Sequence, residues 1–287
     1  METGFASIVI DAGNTSTTLA LFRGADSSVS AVTAVRGGIS AARGACAVAL
    51  RKIFAAADAF GETVSCAMMA SVTPSVNDSW SRLVREEAGL DLQFVRHDAG
   101  LPFVLDIPHP ETMGADRIAD MAAAALAYGA PALVVDIGTA VTYDLLSADG
   151  RFFTGVIGPG PEILARSLHD YTALLPLVEW WRREPPAVPK DTEGAMLFGI
   201  DAGFCGIVRE TVARLLPLAG EGTRLIATGG FAPRFIPELK LDFVIDADLT
   251  LRGIGLLAQR ARECAAETSA QTAGGGRGRP PSRQLTS

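Results

Sequence analysis

Cysteine and histidine are scarce in this chain, with four of the first and three of the second among 287 residues. Cys46, Cys66, Cys205 and Cys264 fall without CxxC spacing, and His97, His109 and His169 without ligand spacing. Neither a disulfide framework nor a structural zinc site is expected, and ordinary reduced thiols point to a cytoplasmic protein. Positive charge is also short: 25 Lys and Arg stand against 32 Asp and Glu, a net charge of -7. With no basic stripe in the folded part, nucleic acid is not the expected partner. No apolar run approaches the roughly 20 residues of a membrane span, and the N-terminus enters a strand without a charged lead or cleavage site. There is no GxGxxG after a strand and no GxxxxGK[ST], which removes a Rossmann dinucleotide site and a Walker P-loop.

What is present is an ample core, at 48% apolar residues, and one motif that occurs twice. Ile8, Val9 and Ile10 run into Asp11, Ala12, Gly13, Asn14 and Thr15. About 125 residues later Val134 and Val135 run into Asp136, Ile137, Gly138, Thr139 and Ala140. Each copy reads as a buried strand, a tight glycine turn and a second, alternating strand. Such a hairpin carries a carboxylate at its mouth. Its glycine lets backbone N–H groups approach a phosphate, and its hydroxyl and amide side chains add donors. Two copies suggest a duplicated fold that clamps one polyphosphate from both sides.

The order of elements agrees. The first half reads as two strands, a third near Ala31–Val35, a helix over Ala42–Ala57, a strand at Ser65–Ser71, a helix at Ser75–Glu87 and a strand at Leu92–Val95. A turn-rich stretch from Asp98 to Thr112 follows, where Pro102, Pro108 and Pro110 forbid regular helix. Ala115–Tyr128 is helical. The second half repeats the plan with the hairpin Leu133–Leu146, a strand at Phe152–Ile157, helices over Glu162–Asp170 and Ala195–Leu216, a strand at Leu225–Ala227 and a helix over Asp248–Ala265. Hairpins followed by alternating helices and strands, taken twice, fit a two-lobed α/β fold. From Thr268 the composition turns to Ala, Gly, Ser, Gln, Pro and Arg, which reads as a disordered tail.

Three further sites carry chemistry. Gly114, Ala115, Asp116 and Arg117 open a helix. Asp116 suits a base for an attacking hydroxyl, or merely a charge on the helix dipole, and Arg117 suits a fork for a carboxylate or phosphate. Gly229 and Gly230, after a short strand and Thr228, would let backbone pass close to a nucleotide. Trp180 and Trp181 read as a surface or interface anchor.

In their order and spacing these motifs resemble the type III pantothenate kinases, within the superfamily of sugar kinases, acetate kinases, actin and heat-shock chaperone ATPases. The likeness runs from about residue 7 to 260. It takes in Asp11–Thr15, Gly114–Arg117, Asp136–Asp144, the glycine turn Gly155–Gly160, Thr172–Pro176, Lys190–Thr192 with Ala195 and Met196, Thr228–Gly230, and Leu249–Gly253. It implies a duplicated ribonuclease H-like (actin-like ATPase) fold with nucleotide between two lobes, 1–128 and 129–267, ahead of the tail 268–287. The implied activity is transfer of the ATP γ-phosphoryl group to pantothenate, giving 4'-phosphopantothenate, the first step of coenzyme A synthesis. By carry-over Asp116 is the base. Asp11, Gly13, Asn14, Thr15, Thr18, Thr139, Gly229 and Gly230 hold ATP with Mg2+, and Asp136 holds a monovalent cation, K+ or NH4+. Ile107, Gly114, Ala115, Asp116 and Arg117 line the acceptor site, which Thr192 enters from the partner subunit of a homodimer.

Some positions depart from the family pattern. Ile107 stands where a Tyr is usual, Thr154 where a Gly is usual, and Pro189 begins the turn that is usually Gly-Lys-Asn-Thr. Loss of one substrate hydrogen bond costs about 0.5–1.5 kcal/mol. The nucleotide half therefore looks intact while the acceptor half has drifted. A kinase of another small hydroxylated acceptor, or a nucleotide-binding regulator, are the alternatives.

Overall fold

A computed structural model describes residues 5–274. Strands β1 (Phe5–Ala12), β2 (Ser16–Arg23) and β3 (Ser28–Arg36) form an antiparallel meander. Helix α1 (Gly38–Phe60) then returns the chain to β4 (Thr63–Ser71), parallel to β1, and α2 (Asn77–Ala88) leads to β5 (Leu92–Phe94), parallel to β4. A connecting segment carries β6 (Val104–Leu105) and α3 (Ala115–Ala123), whose end widens into a π-helical turn over Ala124–Tyr128. The second half is β7 (Ala132–Ile137), β8 (Ala140–Leu146), β9 (Arg151–Pro159), α4 (Pro161–Asp170), α5 (Thr192–Ala219), β10 (Arg224–Thr228), α6 (Ala232–Leu239), β11 (Phe243–Ile245) and α7 (Leu249–Gly274).

The sheets run β3-β2-β1-β4-β5 and β11-β10-β7-β8-β9-β6. Apart from β6 they are the same sheet, with the same antiparallel and parallel pairs in the same places. The duplication suggested by the two hairpins therefore extends through each whole lobe.

Side-chain alternation gives each sheet two buried faces, as expected of strands that read as near-continuous apolar runs. On β1, Ile8, Ile10 and Ala12 pack with Leu50, Ile53 and Trp80 of α1 and α2. On β7, Leu133, Val135 and Ile137 pack with Phe204 and Phe235 of α5 and α6. The opposite faces, with Val9, Phe22, Met68, Val134 and Ile226, meet α3 and α7 in one cluster between the lobes. Two glycines of α7 make this closeness possible. A Cβ at Gly253 would overlap the Ala119 carbonyl of α3, and one at Gly255 would overlap the Phe22 ring.

Two segments cross the expected division at 128. Strand β6 joins the second sheet through β9, and α7 lies against β1, β2 and β4 of the first. Three elements are absent from the sequence-based plan: β6, α6 and β11. Helix α7 also continues past Thr268 to Gly274, a correction to the tail boundary. The run Ala265–Ala273 keeps good helix formers, and the breaker is the glycine run that begins at Gly274. The remaining tail, 275–287, lies outside the described residues. Among the described residues no helix is long and apolar enough to cross a membrane.

Candidate active site

The two hairpins end at the same place, facing each other across the gap between the sheets. In the first, Asp11 sits opposite Thr18; in the second, Asp136 sits opposite Thr142. The Gly13 N–H donates to the Ser16 carbonyl (3.1 Å), and the Gly138 N–H donates to the Ala140 carbonyl (3.0 Å). Each loop is held from behind by two matched bonds. In the N-terminal lobe Gly37 N–H donates to Thr15 O (3.1 Å) and Val72 N–H to Ala12 O (3.2 Å). In the C-terminal lobe Gly160 N–H donates to Thr139 O (3.1 Å) and Phe231 N–H to Ile137 O (3.1 Å). The loop tips meet, with the Thr15 and Thr139 hydroxyl oxygens 3.2 Å apart.

The glycines behind the second loop are required by space. A Cβ on Gly160 would overlap the Gly138 and Thr139 carbonyls, and one on Gly229 would overlap the Asp136 carboxylate. Gly229 also has φ 90°, a conformation that disfavours side chains. Gly230 beside it is open on its side-chain face.

Helix α3 brings Asp116 to this gap. Its carboxylate folds back over the helix start, accepting from the Arg117 N–H at 2.8 Å. A Cβ on Gly114 would overlap that carboxylate, so the first residue of the motif must be glycine for Asp116 to sit there. A cleft of about 720 Å3 opens beside it, lined among others by Ser71, Val72, Asn77, Gly114 and Ala115. That is within the usual size of a small-molecule site.

Burial and mutual repulsion set the carboxylates in the gap apart from ordinary surface acids. Burial first, then the Asp116 carboxylate, pushes Asp11 up to about 7. Burial, then Asp116, Asp11 and Asp144, pushes Asp136 up to about 7. Among the described residues no group of three or more His, Cys, Asp or Glu side chains is arranged to hold a metal ion by itself. Asp11, Asp116 and Asp136 nonetheless offer oxygen only, the donor type that suits hard cations, and further oxygens would have to come from a nucleotide, water or backbone.

Two acidic residues have no role in the sequence reading, Asp144 entering it only as the end of the second loop motif and Asp120 not at all. Asp144 on β8 is 1% exposed and takes the fork of Arg117, with Nε to Oδ1 at 3.0 Å and Nη2 to Oδ1 at 2.5 Å. The arginine expected to be open to an external anion is thus engaged by a buried carboxylate that needs a counter-ion. Asp120, one turn along α3 from Asp116, is fully buried and accepts from Thr250 Oγ1 of α7 at 2.6 Å. Burial, then Asp136, holds it well above the usual carboxylate range. Both are detectable as acids on otherwise apolar faces.

The remaining expected residues divide. Asn14, Thr15 and Thr139 lie at the loop tips, and Thr18 lies on the Asp11 face. Ile107 packs half-buried against the interlobe cluster and is not among the residues lining the cleft beside Gly114. Thr192 is exposed at the start of α5, whose N-cap Asp191 accepts from Gly194 N–H at 2.7 Å. Helix α5 packs on the face of the second sheet opposite Asp136.

Paired sheets of this order, with facing glycine loops at their ends, define a two-lobed protein of the actin-like ATPase and sugar kinase class. Solved structures share the fold. The activator of the 2-hydroxyisocaproyl-CoA dehydratase from Clostridium difficile with bound ADPNP matches at a TM-score of 0.53 and 12% identity, covering 91% of this chain and 97% of that one. Component A of the (R)-2-hydroxyglutaryl-CoA dehydratase from Acidaminococcus fermentans matches at 0.51 and 15%, covering 91% and 99%. Sequence narrows the class. The type III pantothenate kinase family model matches residues 7–214. A type III pantothenate kinase from Thermus thermophilus is 36% identical over 253 residues, 86% of this chain and 96% of that protein. One from Desulfosudis oleivorans is 32% identical over 254 residues, 88% and 99% respectively. The chain belongs to the type III pantothenate kinase family.

Proposed function

We propose that this protein transfers the γ-phosphoryl group of ATP to the primary hydroxyl of pantothenate, forming 4'-phosphopantothenate for coenzyme A synthesis. Family membership supports the reaction. The observation that carries the site assignment is the meeting of the two duplicated loops at Thr15 and Thr139, with Asp116 near enough to raise both Asp11 and Asp136. Loop N–H groups and the Thr15, Thr18 and Thr139 hydroxyls would donate to the polyphosphate, with the Gly229–Gly230 turn passing the nucleoside. Asp11 would face the phosphates, and Asp116 would accept the proton of the attacking hydroxyl. The acceptor oxygen forms its bond to the γ-phosphorus as the bond from that phosphorus to the β–γ bridging oxygen breaks. ADP leaves, and the proton passes from Asp116 to solvent. Such transfer rests on positioning and charge neutralisation more than on covalent help. Neutralisation is what Mg2+ on the nucleotide and a monovalent cation at Asp136 would supply when bound.

Gly114, Ala115 and the cleft beside them would receive the acceptor, with Arg117 kept in place by Asp144. A homodimer completes this reading. Tyr171 (89% exposed), Leu174 (91%) and Val188 (68%) are large apolar side chains left uncovered on the C-terminal lobe, candidates for a partner's contact. Trp181 is half exposed beside buried Trp180, which Phe231 and Phe235 hold. A second copy on this surface is the reading in which Thr192 serves the partner's acceptor cleft, as the family resemblance implies. The enzyme would work in the cytoplasm, where its free thiols stay reduced.

The test is mass-resolved product formation from ATP, Mg2+, K+ and pantothenate. Wild type should form phosphopantothenate, and Asp116→Asn should lower kcat by about 10²–10⁴ with ATP binding retained. Full activity in Asp116→Asn would remove the base assignment. No product from wild type with ATP still bound would replace pantothenate as the acceptor.

A further inference from the structure

A polyphosphate entering this gap meets Asp11, Asp116 and Asp136 with little side-chain cation to balance it. Neither loop supplies one: residues 11–18 and 136–144 contain no Lys or Arg. The fork of Arg117 is engaged by Asp144. We infer that Arg36 is the side-chain cation that neutralises the nucleotide's polyphosphate, an inference that rests on ATP occupying the gap between the two loops.

Strand register carries the argument. Arg36 is the last residue of β3 and pairs directly with Ser16, while Val35 pairs with Thr17 and Ala34 with Thr18. Thr18 pairs in turn with Asp11, and Thr17 with Ala12. Ala12 and Val35 are buried in the core under α1, which fixes the face on their side. Directly opposed residues share a face and neighbours alternate. Arg36 therefore lies on the same face of the sheet as Asp11 and Thr18, at the β3 edge, where it also borders a surface cleft against α1. The next residue, Gly37, has φ 76° and donates its N–H to the Thr15 carbonyl. The backbone carrying Arg36 is thus tied to the tip of the first loop.

Arg36 is also free to act. It is exposed, and among the described residues it has no ion pair or side-chain hydrogen bond. The one other cation on β1 to β4, Arg23, pairs with Ala6 on the opposite face and is bonded to Glu62. The duplicated lobe offers no second cation at the matching position, because the residue before Gly160 is Pro159. A guanidinium is always charged and presents a planar fork that matches phosphate oxygens.

Wild type, Arg36→Ala, Arg36→Gln and Arg36→Lys separate the possibilities. KM for ATP should rise about tenfold or more in Arg36→Ala, the loss of a charge-assisted phosphate contact, with KM for pantothenate unmoved and Arg36→Lys partly restored. Direct binding without acceptor should weaken most for ATP, less for ADP, and not at all for adenosine. Unchanged ATP binding in Arg36→Ala and Arg36→Gln, or adenosine weakened as much as ATP, would overturn the assignment. The two readings fail separately. ATP binding that depends on Arg36 without phosphopantothenate formation removes only the acceptor, whereas product formed with Arg36-independent ATP binding removes only Arg36.

Discussion

The two lobes place the same hairpin in the same sheet and hold its loop with the same pair of backbone bonds, yet they differ in what the inner face carries. One pair of strand residues further from the Asp11–Thr18 and Asp136–Thr142 pairs, on the same face, the lobes part. Val9 faces Ala20 in the first, and Val134 faces Asp144 in the second. Ala20 belongs to the interlobe core, while Asp144 is buried and paired with Arg117. The loops differ as well, since Asn14 gives the first hairpin one residue more. Duplication has preserved the loop backbone, whose geometry is set by hydrogen bonds, and has let side chains specialise. The second lobe fixes α3 through an ion pair, and the first packs against α7 through an apolar face.

That contrast can be broken by making the second lobe resemble the first. Arg117→Ala leaves Asp144 buried without a counter-ion and should cost about 3–5 kcal/mol in urea unfolding. Arg117→Ala combined with Asp144→Ala, the residue at the matching position of the first lobe, should recover much of that loss while activity stays low. A double variant as unstable as the single one would mean that Arg117 acts through packing on Phe152, over whose ring it sits at 5.7 Å, and not through charge. A smaller effect sharpens the match behind the loops. Gly160→Ala forces overlap with two carbonyls of the second loop and should cost about 3 kcal/mol. Gly37→Ala places a side chain on a left-handed backbone (φ 76°) and should cost about 1–2 kcal/mol. Thermal unfolding of both variants measures the difference. Equal losses would place the tightness of the second loop elsewhere.

The duplication is legible in the sequence because its signal is local. Asp11 to Thr15 and Asp136 to Thr139 each follow an apolar strand directly, so turn chemistry and strand pattern read as one hairpin within ten residues. The site on α3 is legible for the same reason, with Gly114 and Asp116 in one short motif. The rest depends on distant partners. Strand β6 is two residues among prolines and exists through β9. Helix α6 carries Pro233 and Pro237, which mask its periodicity, although the first falls in the initial turn where proline is tolerated. Asp120 gains its place from Thr250, 130 residues away. The position of Ile107 in its motif predicts a wall of the acceptor site, and the structure packs it half-buried against the interlobe cluster, a contact that no local pattern shows.

A separate effect concerns protons, and here the lobes should behave alike. Asp11 and Asp136 each rise from 3.8 to about 7, chiefly through burial. The folded, ligand-free protein thus holds these protons more tightly than the unfolded chain. Their contribution to stability is present below about pH 4 and is lost as pH rises through 7. Melting temperature without ligands should therefore fall between pH 5 and 8, and Asp11→Asn and Asp136→Asn should each flatten the slope by a similar amount. Added Mg2+ with ATP should raise the melting temperature more at pH 8 than at pH 5, because cation and proton compete for the same oxygens. A slope that survives both substitutions would assign the pH dependence to Asp120, held by Thr250 where the helices of the two lobes cross, and would move the proton-sensitive element from the matched loops to the interlobe helices.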